Sequence, residues 1–233
     1  IAIHPSDSNG IVPVIEKAMA KGVPVVTIGT PANTDKILLR TGVDYKASGY
    51  VVAEAVAKKL RGKGNLIILE GPPQAINAQE RQKGILEALA KYPNIKILAS
   101  QPANFRRLDA MQVMENLLQR FPKIDAVIGA NDEEALGAVM ALEAAGRLKG
   151  TIVAGFDCNE DAIAAIKDGR MYLSYNSDPF SSAWCAAVYL VMYLNDGTLP
   201  PQKFIPYPPS NRESLITKDK VDKFMRDYCW WKQ

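Results

Sequence analysis

Asp125-Ala126-Val127-Ile128-Gly129-Ala130-Asn131-Asp132 and Thr151-Ile152-Val153-Ala154-Gly155-Phe156-Asp157 run apolar and then stop on a polar hydrogen-bonding residue. Each run reads as a buried strand. Between them Glu133 to Gly146 carries apolar residues at helical spacing, so the whole is a strand–helix–strand unit. Asn131 and Asp157 fall at the carboxyl ends of its strands, where open α/β sheets keep their ligand crevice. A carboxamide beside a carboxylate suits a neutral polyol, because both can satisfy hydroxyl groups.

The same alternation extends outward in both directions. The chain opens in a strand, Ile1 to His4. A helix from about Ile11 to Lys21 follows, with Asp7 or Ser8 as its N-cap, and then the strand Val23 to Ile28. Next come helix Gly49 to Leu60, strand Asn65 to Leu69, helix Asn77 to Lys91, strand Ile95 to Ala99 and helix Leu108 to Arg120. Beyond the opening unit lie helix Asp161 to Asp168, strand Met171 to Tyr175 and helix Phe180 to Asn195. A proline-rich irregular stretch from Leu199 to Pro209 and a helix from Lys218 to Tyr228 complete the chain. This βα alternation predicts an α/β fold of parallel sheet flanked by helices, divided into two lobes because the elements exceed one sheet.

Composition narrows the function. Of 233 residues 48% are hydrophobic and the formal charge is +3, so a packed core is expected and a nucleic-acid footprint is not. Lys58, Lys59, Arg61 and Lys63 read as the solvated end of a helix and its turn. Cys158, Cys185 and Cys229 are too few and too widely spaced for a disulfide framework or a zinc site. With His4 as the sole histidine, serine–histidine triads and histidine metal sites have no material. The apolar run Ala183 to Leu194 is shorter than the roughly 20 residues a bilayer span needs. No phosphate-binding glycine loop occurs, since Gly71-Pro72-Pro73 is rigid. No catalytic residue, metal or cofactor is expected.

Individual residues keep two readings each. Asp132, Glu133 and Glu134 open a helix, where acids suit the dipole. Arg81 in the first turn of its helix is electrostatically out of place there. It either pairs with Glu80 or another acid, or points its guanidinium fork into the crevice. Phe105 is either an edge of the core or a stacking surface for the apolar face of a sugar. Asn131 and Asp157 have local uses as a turn former and a helix cap. His4, Trp184, Trp230 and Trp231 read as structural.

Together these segments resemble the ribose-binding protein family, the type I extracytoplasmic solute-binding proteins of ABC sugar transporters. The resemblance is carried by Pro5-Ser6-Asp7-Ser8, by Ile28 after Val23-Pro24-Val25-Val26, by Glu80-Arg81, and by Ala99-Ser100-Gln101-Pro102-Ala103-Asn104-Phe105. It continues through Asn131-Asp132-Glu133, Ala135-Leu136-Gly137-Ala138 and Gly155-Phe156-Asp157. It implies two Rossmann-like lobes closing on one sugar, with crossovers near Asp44, Ser177 and Pro206. The first lobe would hold residues 1–43 and 178–206, the second 44–177 and 207–233.

By that resemblance Arg81 would bind sugar hydroxyls or the ring oxygen, Phe105 would pack on the sugar face, and Asn131 and Asp157 would exchange hydrogen bonds with hydroxyls. A hinge glutamine of the family falls at about Ser177, with Asn176 adjacent. The family's aspartate–arginine pair is replaced by Gly29-Thr30, which argues against ribose. The family also has a further βαβ unit ahead of Ile1, so the first lobe is expected to lack its N-terminal βαβ unit and the chain to be a fragment. The implied protein is a periplasmic or otherwise extracytoplasmic monomer, free or lipid-anchored, that captures a monosaccharide and delivers it to an ABC transporter permease. Two alternatives share the scaffold: the effector core of a lac-repressor-type transcription factor, and a receptor for a furanosyl signal such as autoinducer-2.

Overall fold

A computed structural model of the chain describes residues 1–206 and 212–227. Its elements in chain order begin with β1 (Ala2–Ile3), α1 (Val12–Ala20), β2 (Val26–Ile28), β3 (Leu39–Gly42), α2 (Tyr45–Lys59) and β4 (Lys63–Glu70). They continue with α3 (Ile76–Leu89), β5 (Asn94–Pro102), α4 (Arg107–Arg120), β6 (Ala126–Gly129), α5 (Asp132–Ala144) and β7 (Ile152–Phe156). The remainder is α6 (Glu160–Asp168), β8 (Leu173–Tyr175), α7 (Pro179–Asp196), β9 (Phe204–Pro206), β10 (Leu215–Thr217) and α8 (Val221–Asp227).

These elements group into two compact units. One comprises Ile1–Asp44, Gln74–Asn77 and Ser177–Ser210; the other comprises Tyr45–Pro73, Ala78–Asn176 and Asn211–Gln233. The first unit holds a parallel sheet in the order β1-β2-β3-β9. Val25, just ahead of β2, packs with Ile15 of α1, and Val26 of β2 packs with Leu39 of β3 and Ala186 of α7. Helices therefore cover both faces, as a parallel sheet requires.

The second unit holds the sheet β10-β8-β7-β6-β4-β5. Leu66 to Leu69 of β4 and Ala126 to Ile128 of β6 are wholly buried, which is why these strands read as uninterrupted apolar runs. Ile67, Val127 and Val153 pack against Met114, Leu136, Val139 and Ile163 from α4, α5 and α6. On the other face α2 lies against β7 and β8.

Several sequence expectations are corrected. β10 runs antiparallel beside β8, so the second sheet is mixed rather than wholly parallel. β3 and β9 fall in stretches read as loop; both are short, and each is defined by its partner rather than by its own pattern. Helix α1 starts at Val12 after Ile11, with no side-chain cap. Asp7 instead closes a turn, accepting from the amides of Asn9 and Gly10 at 2.8 and 3.0 Å. Trp184, read as structural, is 66% exposed on α7, where Phe180 stacks against it. His4 is exposed as well. Lys218–Lys220 form a 3-10 turn before α8. Tyr228, Cys229, Trp230 and Trp231 lie outside the described residues.

Candidate functional site

Helix α5 leads from the carboxyl end of β6 back to the amino end of the parallel β7, and the chain turns from strand to helix at Asn131. Its backbone is extended, and its side-chain oxygen accepts from the Glu134 amide at 2.9 Å, an N-cap that satisfies one orphan donor of the helix. The amide nitrogen of the same side chain donates to the Phe105 carbonyl at 3.4 Å. Asn131 thus links the start of α5 to the loop after β5.

Arg81 reaches this point from α3. It lies beyond the first turn, because the helix begins at Ile76, so the dipole conflict expected from sequence is largely absent. The residue is 3% exposed. Its Nη1 donates to the Ala130 carbonyl, and its Nη2 lies 4.0 Å from Asp157 Oδ1. The guanidinium sits over the Phe156 ring at 4.1 Å and the Tyr45 ring at 5.4 Å, a cation–π arrangement on two aromatic faces. Of the acid partners the sequence left open, Glu80 does not pair with Arg81, and the acid that faces it is Asp157. Glu80 bonds Lys83 on the same helix, since neighbours in helical sequence do not face each other. Arg81 Nε is buried and has no acceptor among the described residues.

Phe105 sits in a turn made by Ala103 to Arg106, where both Asn104 and Phe105 have φ of 58°. The turn is anchored at each end: the Ala103 amide donates to the Glu70 carbonyl at 2.7 Å, and the Phe105 amide donates to Glu134 Oε1 at 2.7 Å. The half-buried ring lies over Gly71, where a methyl group would overlap it.

Asp157 ends β7 with φ of 103°, and Cys158 follows with φ of 55°. Its amide donates to the Tyr175 carbonyl at 2.8 Å, while its carboxylate is 47% exposed. Beneath it Asp132 accepts from Ser174 Oγ at 2.7 Å and from the Asn159 amide at 2.9 Å; Ser174 Oγ in turn accepts from the Cys158 amide at 3.0 Å. Gly155 makes room for this carboxylate, since a Cβ there would collide with Asp132.

The electrostatics follow from burial. Desolvation, and then the nearby charge of Asp157, raise the Asp132 carboxyl well above its ordinary range; the Ser174 and Asn159 donors and Arg81 oppose this. Glu134 is pushed up to about 7 by desolvation, against the lowering effect of the Phe105 and Ala130 amides and Arg81. On the rim Arg107 makes a bidentate pair with Glu133 at 2.9 Å and a bond to Asp161 at 2.7 Å, tying α4, α5 and α6 together.

Of the residues singled out from sequence, Arg81, Phe105, Asn131 and Asp157 converge at one end of the second unit's sheet. Asn176 follows β8 at the same end, its amide donating to the Ser214 carbonyl at 2.7 Å. Gly29, Thr30 and Ser177 belong to the first unit. Gly29 has φ of 67° and donates to the Thr41 carbonyl, and Thr30 is buried with its hydroxyl 3.4 Å from His4 Nε2. Sequence reasoning missed the depth of Asp132 and Glu134, which it took as dipole acids; both are fully buried. It also passed over Tyr45 and Phe156. The only advance signal was the two-residue spacing of the acids, which sends them to different sides of the helix start.

This arrangement combines a buried cation with an unused N–H, a half-exposed carboxylate and an aromatic face. Such a set can satisfy the hydroxyl groups of a polyol and cover an apolar ring face.

Residues 1–198 match the family model described as a periplasmic binding protein domain. A xylitol-binding protein of Mycolicibacterium smegmatis is 37% identical over 170 residues, covering 72% of this chain and 48% of that protein. The ribose import binding protein RbsB of Bacillus subtilis is 39% identical over 180 residues, covering 77% of this chain and 57% of that protein. A periplasmic solute-binding protein of an ABC transporter from Actinobacillus succinogenes, solved with bound D-allose, superposes with a TM-score of 0.89 at 31% identity. That match covers 96% of this chain and 78% of the other. The chain therefore spans about half the length of the curated relatives it matches. These relatives are binding proteins.

Proposed function

This chain belongs to the periplasmic binding protein domain family, and on that premise we propose that it is the sugar-capturing receptor of an ABC importer, working without a catalytic step. The observation that carries the reading is the convergence of Arg81, Phe105, Asn131 and Asp157, with a buried Arg81 N–H left without an acceptor among the described residues. An unmet buried donor costs about 1–3 kcal/mol, and a ligand oxygen would relieve it. In this reading Asp157 accepts from sugar hydroxyls, Arg81 donates to a hydroxyl or the ring oxygen, and Phe105 covers the apolar face. Asn131 contributes chiefly by holding the Phe105 turn, since its oxygen already caps α5. Asn176, Ser177, Gly29 and Thr30 are proposed as further contacts. Delivery to a membrane permease and an extracytoplasmic location belong to the same reading.

A thermal-shift screen across monosaccharides and sugar alcohols tests it. A ligand present at a thousand times its Kd stabilises by about 4 kcal/mol, so a micromolar sugar at millimolar concentration gives an unmistakable shift. A flat response to every sugar and polyol sinks the reading.

A further inference from the structure

Four of the six non-glycine residues with positive φ among the described residues lie in just two turns, Asn104-Phe105 and Asp157-Cys158. Left-handed backbone is unfavourable at such residues and persists only where surrounding structure enforces it. Each turn presents one of the candidate contact residues, and each is fastened by a buried carboxylate from the first turn of α5. Glu134 spans the Phe105 amide and the Ala130 amide, both at 2.7 Å, the second shared with the Leu69 carbonyl at 2.9 Å. The Ala130 carbonyl on the same residue receives Arg81. Asp132 spans Ser174 Oγ and the Asn159 amide, and Ser174 holds the Cys158 amide.

We propose that Asp132 and Glu134 are positioning residues, two buried carboxylates on one helix start that hold the left-handed turns carrying Asp157 and Phe105 in ligand-ready geometry. The choice of carboxylate follows from hydrogen-bond inventory. In each of these side chains both oxygens face donors, whereas a carboxamide accepts at one end only and turns N–H groups toward the donor at the other. A single short acid could not reach both turns. Placed two residues apart on α5, the pair serves one turn each, and Arg81 is tied in through Ala130, whose amide Glu134 holds and whose carbonyl receives the guanidinium. The assignment of positioning rests on the sugar-receptor reading only for its purpose, not for its geometry.

The test has two arms on the 233-residue chain. In the first, amide hydrogen exchange is followed without ligand. Glu134→Gln should speed exchange at Phe105 at least tenfold while leaving Asn159 near its wild-type rate, and Asp132→Asn should do the reverse. Equal acceleration throughout β6 and β7 would mean ordinary loss of stability and would overturn the proposal. In the second arm D-allose and D-ribose are titrated calorimetrically in a double-mutant cycle. Glu134→Gln alone should weaken binding about tenfold, but less than twofold when added to Phe105→Ala. Asp132→Asn should behave likewise on Asp157→Ala. The same full loss in both backgrounds overturns the assignment. If the wild-type chain binds neither sugar, the exchange arm still decides whether the two acids hold the turns.

Discussion

Arg81 and Asp157 face each other across 4.0 Å with opposite exposure: the guanidinium is 3% exposed and the carboxylate 47%. The cation is held from below by the Ala130 carbonyl and two aromatic rings. The anion is left partly in water. This asymmetry separates the two residues by what their loss should do.

Asp157→Ala is expected to weaken sugar binding by more than tenfold with little change in stability, because a half-exposed carboxylate contributes little to folding. Calorimetry with urea unfolding on the same samples checks it. Unchanged affinity in a folded variant removes Asp157 from the site.

Arg81→Met should affect both properties. It strips the Ala130 carbonyl of its donor and removes the cation facing Asp132 and Glu134, so stability should fall by about 1–3 kcal/mol and binding by at least thirtyfold. A methionine variant that binds like wild type would show that the guanidinium serves the fold alone.

Gly155→Ala should destabilise by about 1–3 kcal/mol, since the added methyl meets Asp132 and, at 3.0 Å, the Ala135 side chain in a fully packed layer. Gly71→Ala should instead displace the Phe105 ring and lower affinity more than stability. Urea midpoints and titrations on both variants distinguish the two outcomes; equal stability losses contradict the expected split.

Stability should depend on pH through Glu134. Its folded value is about 7 against an ordinary 4.5, so between those values the folded protein holds a proton that the unfolded chain releases. This contribution is fully present below about 4.5 and is lost as pH rises through 7, a fall of about 3 kcal/mol at most. Asp132 adds in the same direction. The charges that bear on the pair are Arg81 of α3, which opposes the shift, and Asp157 after β7, which raises Asp132 further. Urea unfolding at intervals from pH 5 to 8 should show the slope in wild type and a flatter one in Glu134→Gln. An identical slope in the variant would count against the buried carboxyl.

The β6–α5–β7 unit was legible because its strands are buried on both faces and so carry unbroken apolar runs, each ended by a polar residue. β3 was not: Leu39-Arg40-Thr41-Gly42 has no strand pattern of its own. It becomes a strand by lying between β2 and β9, where Arg40 also stacks on Phe204 at 3.7 Å. β10 escaped notice for the same reason, as three residues at an edge. Within the site, the identities of Arg81, Phe105, Asn131 and Asp157 could be picked out by position after strands. Their partners could not, because Ala130, Phe156 and Tyr45 meet Arg81 only once three separate segments pack.

The sequence by itself determined the α/β architecture and the residues that stand at the strand ends, since periodicity and chain punctuation are local properties. Only the tertiary structure decided that Asp132 and Glu134 are buried supports rather than solvated helix caps. Burial depends on what packs over a residue, and the covering atoms come from Phe105, Asn159 and Ser174, which no local pattern connects to α5.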